Sequence, residues 1–304
     1  MSTDQLVSRR LTREWSRLLP GRAEWRTLRR DPSRDLIAGV TVAMVALPLA
    51  LAFGITSGMG AAAGLVTAVI AGGVAAVFGG SNLQVSGPTG AMTVVLVPIV
   101  AQFGPAMVPV VGLLAGVVLL VLAVSGAGRY IRYLPLPVEQ GFAVGIAFVI
   151  GLQQVPAALG VHPGSDKVVV VAVDAVRQWL ARPQWAEPAI AAGVIAVILL
   201  GVRFAPRWPL SLPAVIAATA AVHVLRWHVP TIGGIPQGLP MPSLPAIPWA
   251  HLDRLVLPVL AVAALGALES LLSATVADGL TVGEHHDPDK ELVGQGLANL
   301  ASPL

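Results

Sequence analysis

Two polar features interrupt a chain that is otherwise strongly apolar, and each has a recognisable chemistry. The segment 81–92, SNLQVSGPTGAM, contains a Gly-Pro pair flanked by hydroxyls, and Glu269 lies inside the run AVAALGALESLLSATVADG. Unpaired N–H groups at the start of a helix attract anions, because the helix dipole is positive at that end. A carboxylate at membrane depth is costly and indicates an ion or proton pathway. Together the two features indicate ion transfer.

The Gly-Pro segment predicts a helix that starts inside a membrane. Pro88 suits the first turn of a helix, and the apolar run that follows ends near Ala101. At 1.5 Å per residue this helix is about 20 Å long, which is shorter than a bilayer core of about 30 Å. The residues before it must then enter in extended form, buried in protein or lining a cavity. The alternative is a turn outside the membrane followed by an ordinary span.

The anion cradle predicted at this helix start combines accessible backbone with two hydroxyls. Its members are Ser86, Gly87, Pro88, Thr89, Gly90 and Ala91.

Glu269 has a hydroxyl partner on its own helix face. Ser273 follows it by four residues and therefore shares its face, whereas Ser270 lies on a different face. The pair predicts either a Na⁺ site completed by backbone oxygens or a carboxyl group that cycles a proton. The alternative is a structural Glu that hydrogen-bonds to a neighbouring helix.

Composition assigns the chain to the membrane. Hydrophobic residues make up 55% of the 304 residues and charged residues 12%, about half the share usual in soluble domains. No Asp, Glu, Lys or Arg occurs from Leu36 to Gly128. The sequence therefore predicts an all-α polytopic membrane protein. It contains no cysteine, which excludes disulfides and thiolate-ligated metals.

Hydropathy predicts eight spans and the start of a ninth. In chain order they cover 36–56, 61–78, 88–101, 107–124, 136–159, 188–202, 210–225 and 255–276, and a ninth apolar run at 292–304 is too short to cross. The stretch from Asp166 to Leu180 has an apolar face and predicts a surface helix outside the membrane.

Basic residues predict the orientation. Nine of the 19 Lys and Arg residues precede Asp35, and such clusters remain on the cytosolic side. We expect residues 1–35 to form a cytosolic lead and residues 36–304 a transmembrane transport domain, in a bacterial-type inner or plasma membrane. A nucleic-acid-binding arm is the alternative. We predict no nucleic-acid partner, because the basic residues are not spread over a folded surface.

Three segments together resemble a known family. They read DLIAGVTVAMVALPLALAFG (35–54), GGSNLQVSGPTGAMTVV (79–95) and ESLLSATVADGLTVGEHHDPDKELVGQGLANL (269–300). They are similar to the SulP family of inorganic anion transporters. This resemblance implies an inverted-repeat (7+7) fold in which two half-helices meet at the substrate site, and a tendency to form homodimers. The short third span would be the first half-helix.

The resemblance also implies site residues. Pro48 and Phe53 of the first span would lie beside the anion, and Glu269 with Ser273 would bind Na⁺, as in sodium-coupled bicarbonate members. Leu49 stands where many members have Gln, which favours bicarbonate over sulfate. Because the chain ends within the ninth segment, we expect a C-terminally truncated form. It would comprise the first repeat and the start of the second, without the second half-helix or the STAS domain.

The expected function is secondary active transport of bicarbonate or sulfate, coupled to Na⁺ or H⁺, by alternating access. The expected partners are the anion and the lipid bilayer. No enzymatic motif of the HExxH or GxSxG type occurs in the spans, so we predict no enzyme activity and no cofactor besides a coupling Na⁺. One alternative is a nucleobase permease, whose site would need carboxylates or amides, whereas the predicted cradle offers backbone and hydroxyls. Another is a truncated fragment without activity.

Overall fold

A computed structural model describes most of the chain as a helical bundle. The described residues are 18–21, 25, 31–133, 135–164, 167–205, 208–231, 244–247, 252–283 and 285–303. Within them the chain forms ten α-helices and no strand. They are α1 (Pro32–Thr56), α2 (Ala61–Phe78), α3 (Gly90–Phe103), α4 (Val108–Val124), α5 (Leu136–Leu159), α6 (Val168–Ala181), α7 (Ala186–Phe204), α8 (Ser211–Leu225), α9 (Leu252–Gly279) and α10 (Pro288–Ala301). Most of the predicted basic lead lies outside the described residues.

In the part of the chain that the structure describes, six helical stretches are long and apolar enough to cross a membrane. They are Pro32–Thr56, Ala61–Phe78, Pro105–Val124, Gln140–Leu159, Ala186–Phe204 and Leu252–Gly279. Each corresponds to a predicted span. Two further apolar helices are shorter, namely α3 and α8, which correspond to the predicted third and seventh spans. The predicted surface helix is α6.

Large apolar side chains cover the outer faces of the bundle. Val144 is 70% exposed, Phe148 67% and Leu199 64%. Soluble monomers rarely expose contiguous apolar patches of this extent. These faces suit contact with lipid, as expected of a polytopic membrane protein.

The helix after the Gly-Pro pair is short, as predicted. Helix α3 has 14 residues, which is about 21 Å at 1.5 Å per residue. It begins at Gly90 rather than at Pro88, so the predicted start was wrong by two residues. The reason is the extended backbone of Thr89 (φ −121°, ψ 152°), whose hydroxyl accepts a hydrogen bond from the Met92 N–H. Thr89 is therefore the N-cap, and residues 79–89 leading to it are not helical.

Helix α10, which includes most of the predicted ninth run, is central to the packing. It lies between α2 and α4, and Leu292 and Val293 are each only 1% exposed. Glycines allow this close approach on both sides. A Cβ on Gly294 would lie 2.7 Å from the Cα of Gly79, and one on Gly116 would lie 2.8 Å from the carbonyl oxygen of Gly296.

The helices form two groups. Helices α3, α4, α9 and α10 share one apolar core, which includes Leu119, Val262 and Leu292, and α1 and α2 join this group through contacts of α2 with α1 and α10. Helices α5 to α8 form the second group. It contacts the first through α5 against α3 and through α8 against α1.

The glycine contact between α10 and α2 yields a stability prediction. Gly294→Ala should lower the free energy of unfolding by about 1–3 kcal/mol, because the new methyl group meets rigid backbone. Gly73→Ala on α2 is the control, since a Cβ there has no atom within 4 Å. Thermal unfolding in one detergent measures both. Equal melting temperatures for the two variants would contradict the described packing.

Candidate functional site

A cavity of about 210 Å³ lies beside the N-terminus of α3. Its walls come from α2, the extended segment 79–89, α3, α9 and α10. The polar residues that line it are Thr67, Gln84, Ser86, Thr89, Thr93, Glu269, Ser270, Ser273, Gln295, Asn299 and Ser302.

One hydrogen bond joins the two features that the sequence singled out. The Thr89 hydroxyl donates to Oε2 of Glu269 over 2.7 Å, and Oγ1 of Thr89 also accepts from the Met92 N–H at 3.3 Å. The start of the short helix and the acidic residue of α9 are therefore direct neighbours. Glu269 faces protein and cavity rather than the surrounding lipid.

Electrostatics in this cavity come from backbone and carboxylate. Among the described residues that line it, none is Lys or Arg. The positive potential is that of the α3 N-terminus, worth roughly half a unit charge. Glu269 adds an acidic group at the same place.

The structure brings together part of the predicted residue set. Ser86, Gly87, Pro88 and Thr89 line the cavity, and so do Glu269 and Ser273 of the predicted cation pair.

Four predicted residues lie elsewhere. Gly90 and Ala91 are buried and do not line the cavity, because α3 starts later than expected and a Cβ on Gly90 would meet Ile150 and Phe53. Phe53 lines a neighbouring, more apolar cavity together with Pro88. Pro48 lines neither of these two cavities, since it lies more than one helical turn before Phe53 on α1.

Sequence reasoning missed a buried carboxylate, Glu291. It is only 2% exposed. It accepts hydrogen bonds from the N–H groups of Gly80 (2.9 Å) and Ser81 (3.2 Å), from the Ser270 hydroxyl (2.6 Å) and from Nε2 of Gln84 (2.5 Å). Ser270 therefore pairs with Glu291 and Glu269 pairs with Thr89, although Ser270 and Glu269 line the same cavity. Glu291 connects α9 and α10 to the extended segment.

Two amides of α10 were missed as well. Nε2 of Gln295 donates to the Ser86 hydroxyl over 2.6 Å, and Asn299 lines the cavity. Glu291, Gln295 and Asn299 are spaced by four residues and therefore share a helix face. This four-residue period of polar side chains was the signal available in the sequence. It was overlooked because the predicted ninth run was described only as apolar. The expectation that only backbone and hydroxyls line the site was wrong.

Comparison with known proteins assigns the family. Residues 33–304 match the Sulfate permease family. The chain belongs to this family. A protein of Bacillus subtilis (strain 168) named "Putative sulfate transporter YvdB" is 37% identical over 278 residues, which are 89% of this chain and 52% of that protein. The bicarbonate transporter BicA of Picosynechococcus is 36% identical over 285 residues, 89% of this chain and 50% of that protein. This sulfate permease family member thus spans about half the length of these curated relatives.

Solved structures confirm the fold class. The transmembrane domain of a cyanobacterial bicarbonate transporter BicA superposes with a TM-score of 0.78 at 35% identity, covering 91% of this chain and 73% of that one. SLC26A9 superposes with a TM-score of 0.77 at 17% identity, covering 88% of this chain and 47% of that one. At this identity the likeness is evidence for the fold only. The sulfate permease family member is therefore an all-α membrane protein with the inverted-repeat fold of these transmembrane domains.

The Thr89 N-cap can be tested by two matched substitutions. Thr89→Val keeps the shape but removes both hydrogen bonds of the hydroxyl, and it should lower the free energy of unfolding by about 1–2 kcal/mol. Thr89→Ser retains the hydroxyl and should remain close to the wild type. Thermal unfolding of the purified protein compares the three. A Thr89→Val protein as stable as the wild type, with the loss found in Thr89→Ser instead, would show that the methyl group, and not the hydroxyl, matters.

Proposed function

We propose that this protein is a secondary active transporter of a small inorganic anion, bicarbonate or sulfate, coupled to Na⁺ or H⁺. The observation that supports it most is the 2.7 Å hydrogen bond between Thr89 and Glu269. It sets an anion-attracting helix start beside a carboxylate in one polar cavity. The curated relatives named as sulfate and bicarbonate transporters support the same choice of substrate.

The anion half of the proposal rests on the α3 N-terminus. Broken helices inside membranes direct their positive ends at anionic groups of the substrate. Here the hydroxyls of Ser86 and Thr89 lie at that end and line the cavity. The second half-helix expected from the family would complete the cradle from the remaining part of the fold.

The cation half rests on Glu269 and Ser273. Both line the cavity, and carboxylate and hydroxyl oxygens are the donor type that Na⁺ takes together with unwound backbone carbonyls. A proton bound to Glu269 would equally supply the positive charge that accompanies the anion. A neutral pair of anion and cation crosses a low-dielectric core at lower energy than either ion alone.

The two helix groups suit alternating access. Among the described residues, the main contacts of the second group, α5 to α8, with the first are those of α5 with α3 and of α8 with α1. Rigid-body movement between the groups would expose the cavity to one side of the membrane and then to the other. We place residues 1–35 in the cytosol and residues 36–304 in the inner or plasma membrane, on the basis of the basic cluster before Asp35.

A nucleobase permease is the second candidate, and one observation favours it. The amides of Gln84, Gln295 and Asn299 line the cavity, and amides can read the edges of a base. The family assignment and the named relatives favour the inorganic anion. Uptake decides between them, because an anion transporter should take up labelled bicarbonate or sulfate unaffected by excess uracil, whereas a nucleobase permease should take up labelled uracil and neither anion.

Substitution of Glu269 tests the coupling. In proteoliposomes that contain the full-length protein, Glu269→Gln should abolish the stimulation of anion uptake by an inward Na⁺ or H⁺ gradient, because a neutral amide carries neither ion. Asp253→Asn is the control, since Asp253 is an exposed acid in the first turn of the same helix, α9. It should keep the wild-type gradient dependence. Unchanged ion coupling in Glu269→Gln would remove this residue from the mechanism.

A further inference from the structure

The Gln84 amide has one end paired and the other end without a hydrogen-bond partner among the described residues. Its Nε2 donates to Oε1 of Glu291 over 2.5 Å and to the Ser270 hydroxyl over 3.2 Å. Its carbonyl oxygen Oε1 is buried and has no hydrogen-bond partner among the described residues. Gln84 also lines the cavity beside the α3 N-terminus.

The orientation of this amide is fixed by its neighbour. A carboxylate only accepts hydrogen bonds, so the NH₂ group of Gln84 must face Glu291 and the carbonyl oxygen must point away from it. Glu291 is itself immobilised, because it is 2% exposed and accepts from the N–H groups of Gly80 and Ser81. A flipped amide would set two oxygens against each other at this short distance.

A buried carbonyl oxygen without a donor is unfavourable, and it gains free energy when a donor arrives. The occupant of the cavity can supply that donor only if it carries an O–H or N–H group. Glu269 lines the cavity and Glu291 lies directly against Gln84, and these two carboxylates repel a divalent anion more than a monovalent one.

We propose that Gln84 is a specificity-determining residue and that Glu291 is the residue that positions it. The carbonyl oxygen of Gln84 accepts a hydrogen bond from the O–H group of a singly charged, protonated oxyanion such as bicarbonate. Nitrate has a similar planar shape and the same charge but no O–H, and sulfate has two charges and no O–H. A site built to bind a substrate hydroxyl rejects analogues that lack it. This inference rests on the proposed transport function.

The test compares bicarbonate with nitrate in the full-length protein. Uptake of labelled bicarbonate into proteoliposomes at one fixed pH gives its KM, and added nitrate gives an inhibition constant. In Gln84→Met the KM for bicarbonate should rise about tenfold, as expected for loss of one hydrogen bond to a charged ligand, while the nitrate constant stays unchanged. Gln154→Met on α5 is the control, since Gln154 lies outside the cavity, and both constants should match the wild type.

Glu291→Gln provides a second variant of similar size. A glutamine at this position can pair with either end of the Gln84 amide, so the orientation is no longer fixed. The ratio of the bicarbonate KM to the nitrate inhibition constant should move toward the ratio measured for Gln84→Met. A purely structural role would lower the maximal rate and leave this ratio unchanged.

Several results would overturn the inference. One is a ratio of constants that is the same in the wild type, Gln84→Met and Glu291→Gln. Another is wild-type uptake of sulfate without bicarbonate, which would leave the anion-transport proposal intact. Absence of uptake of either anion by the wild type would overturn that proposal as well.

Discussion

Polar backbone groups inside a lipid layer must be paired, and the site depends on how the non-helical segment 79–89 meets this constraint. Helix α10 supplies the partners that a regular helix would have given. Glu291 binds the N–H groups of Gly80 and Ser81, and the N–H of Asp287 donates to the Gly80 carbonyl over 3.1 Å. Further along the segment 79–89, the side-chain amide of Gln295 donates a hydrogen bond to the Ser86 hydroxyl. The segment can therefore remain extended and still border a cavity.

Close packing makes this pairing geometrically feasible. Gly294 of α10 contacts Gly79 without side chains between them, so the carboxylate of Glu291 reaches backbone that a larger residue would hold away. The same face of α10 carries groups that pair the backbone and groups that line the cavity. Stability and recognition are therefore served by one helix. A substitution on this face should be judged by both effects, since a lost hydrogen bond also changes the shape of the site.

The sequence predicted the elements better than it predicted the contacts. Hydropathy located the spans within a few residues, because burial in lipid imposes a length and a composition that each segment shows by itself. The short helix was predictable from Pro88, but its start shifted to Gly90 because the Thr89 hydroxyl caps it. The role of Glu291 was missed because its backbone partners, Gly80 and Ser81, lie about 210 positions earlier in the chain, and the four-residue period of α10 does not identify them.

The most direct test of the account asks whether the extended segment 79–89 borders a water-filled path that the anion occupies. The chain contains no cysteine, so Ser86→Cys introduces a single thiol beside the α3 N-terminus. Its rate of modification by a small water-soluble thiol reagent, with and without saturating bicarbonate or sulfate, is the measurement. The account predicts modification that the transported anion slows severalfold. A thiol that does not react, or that reacts equally fast with either anion present, would contradict it.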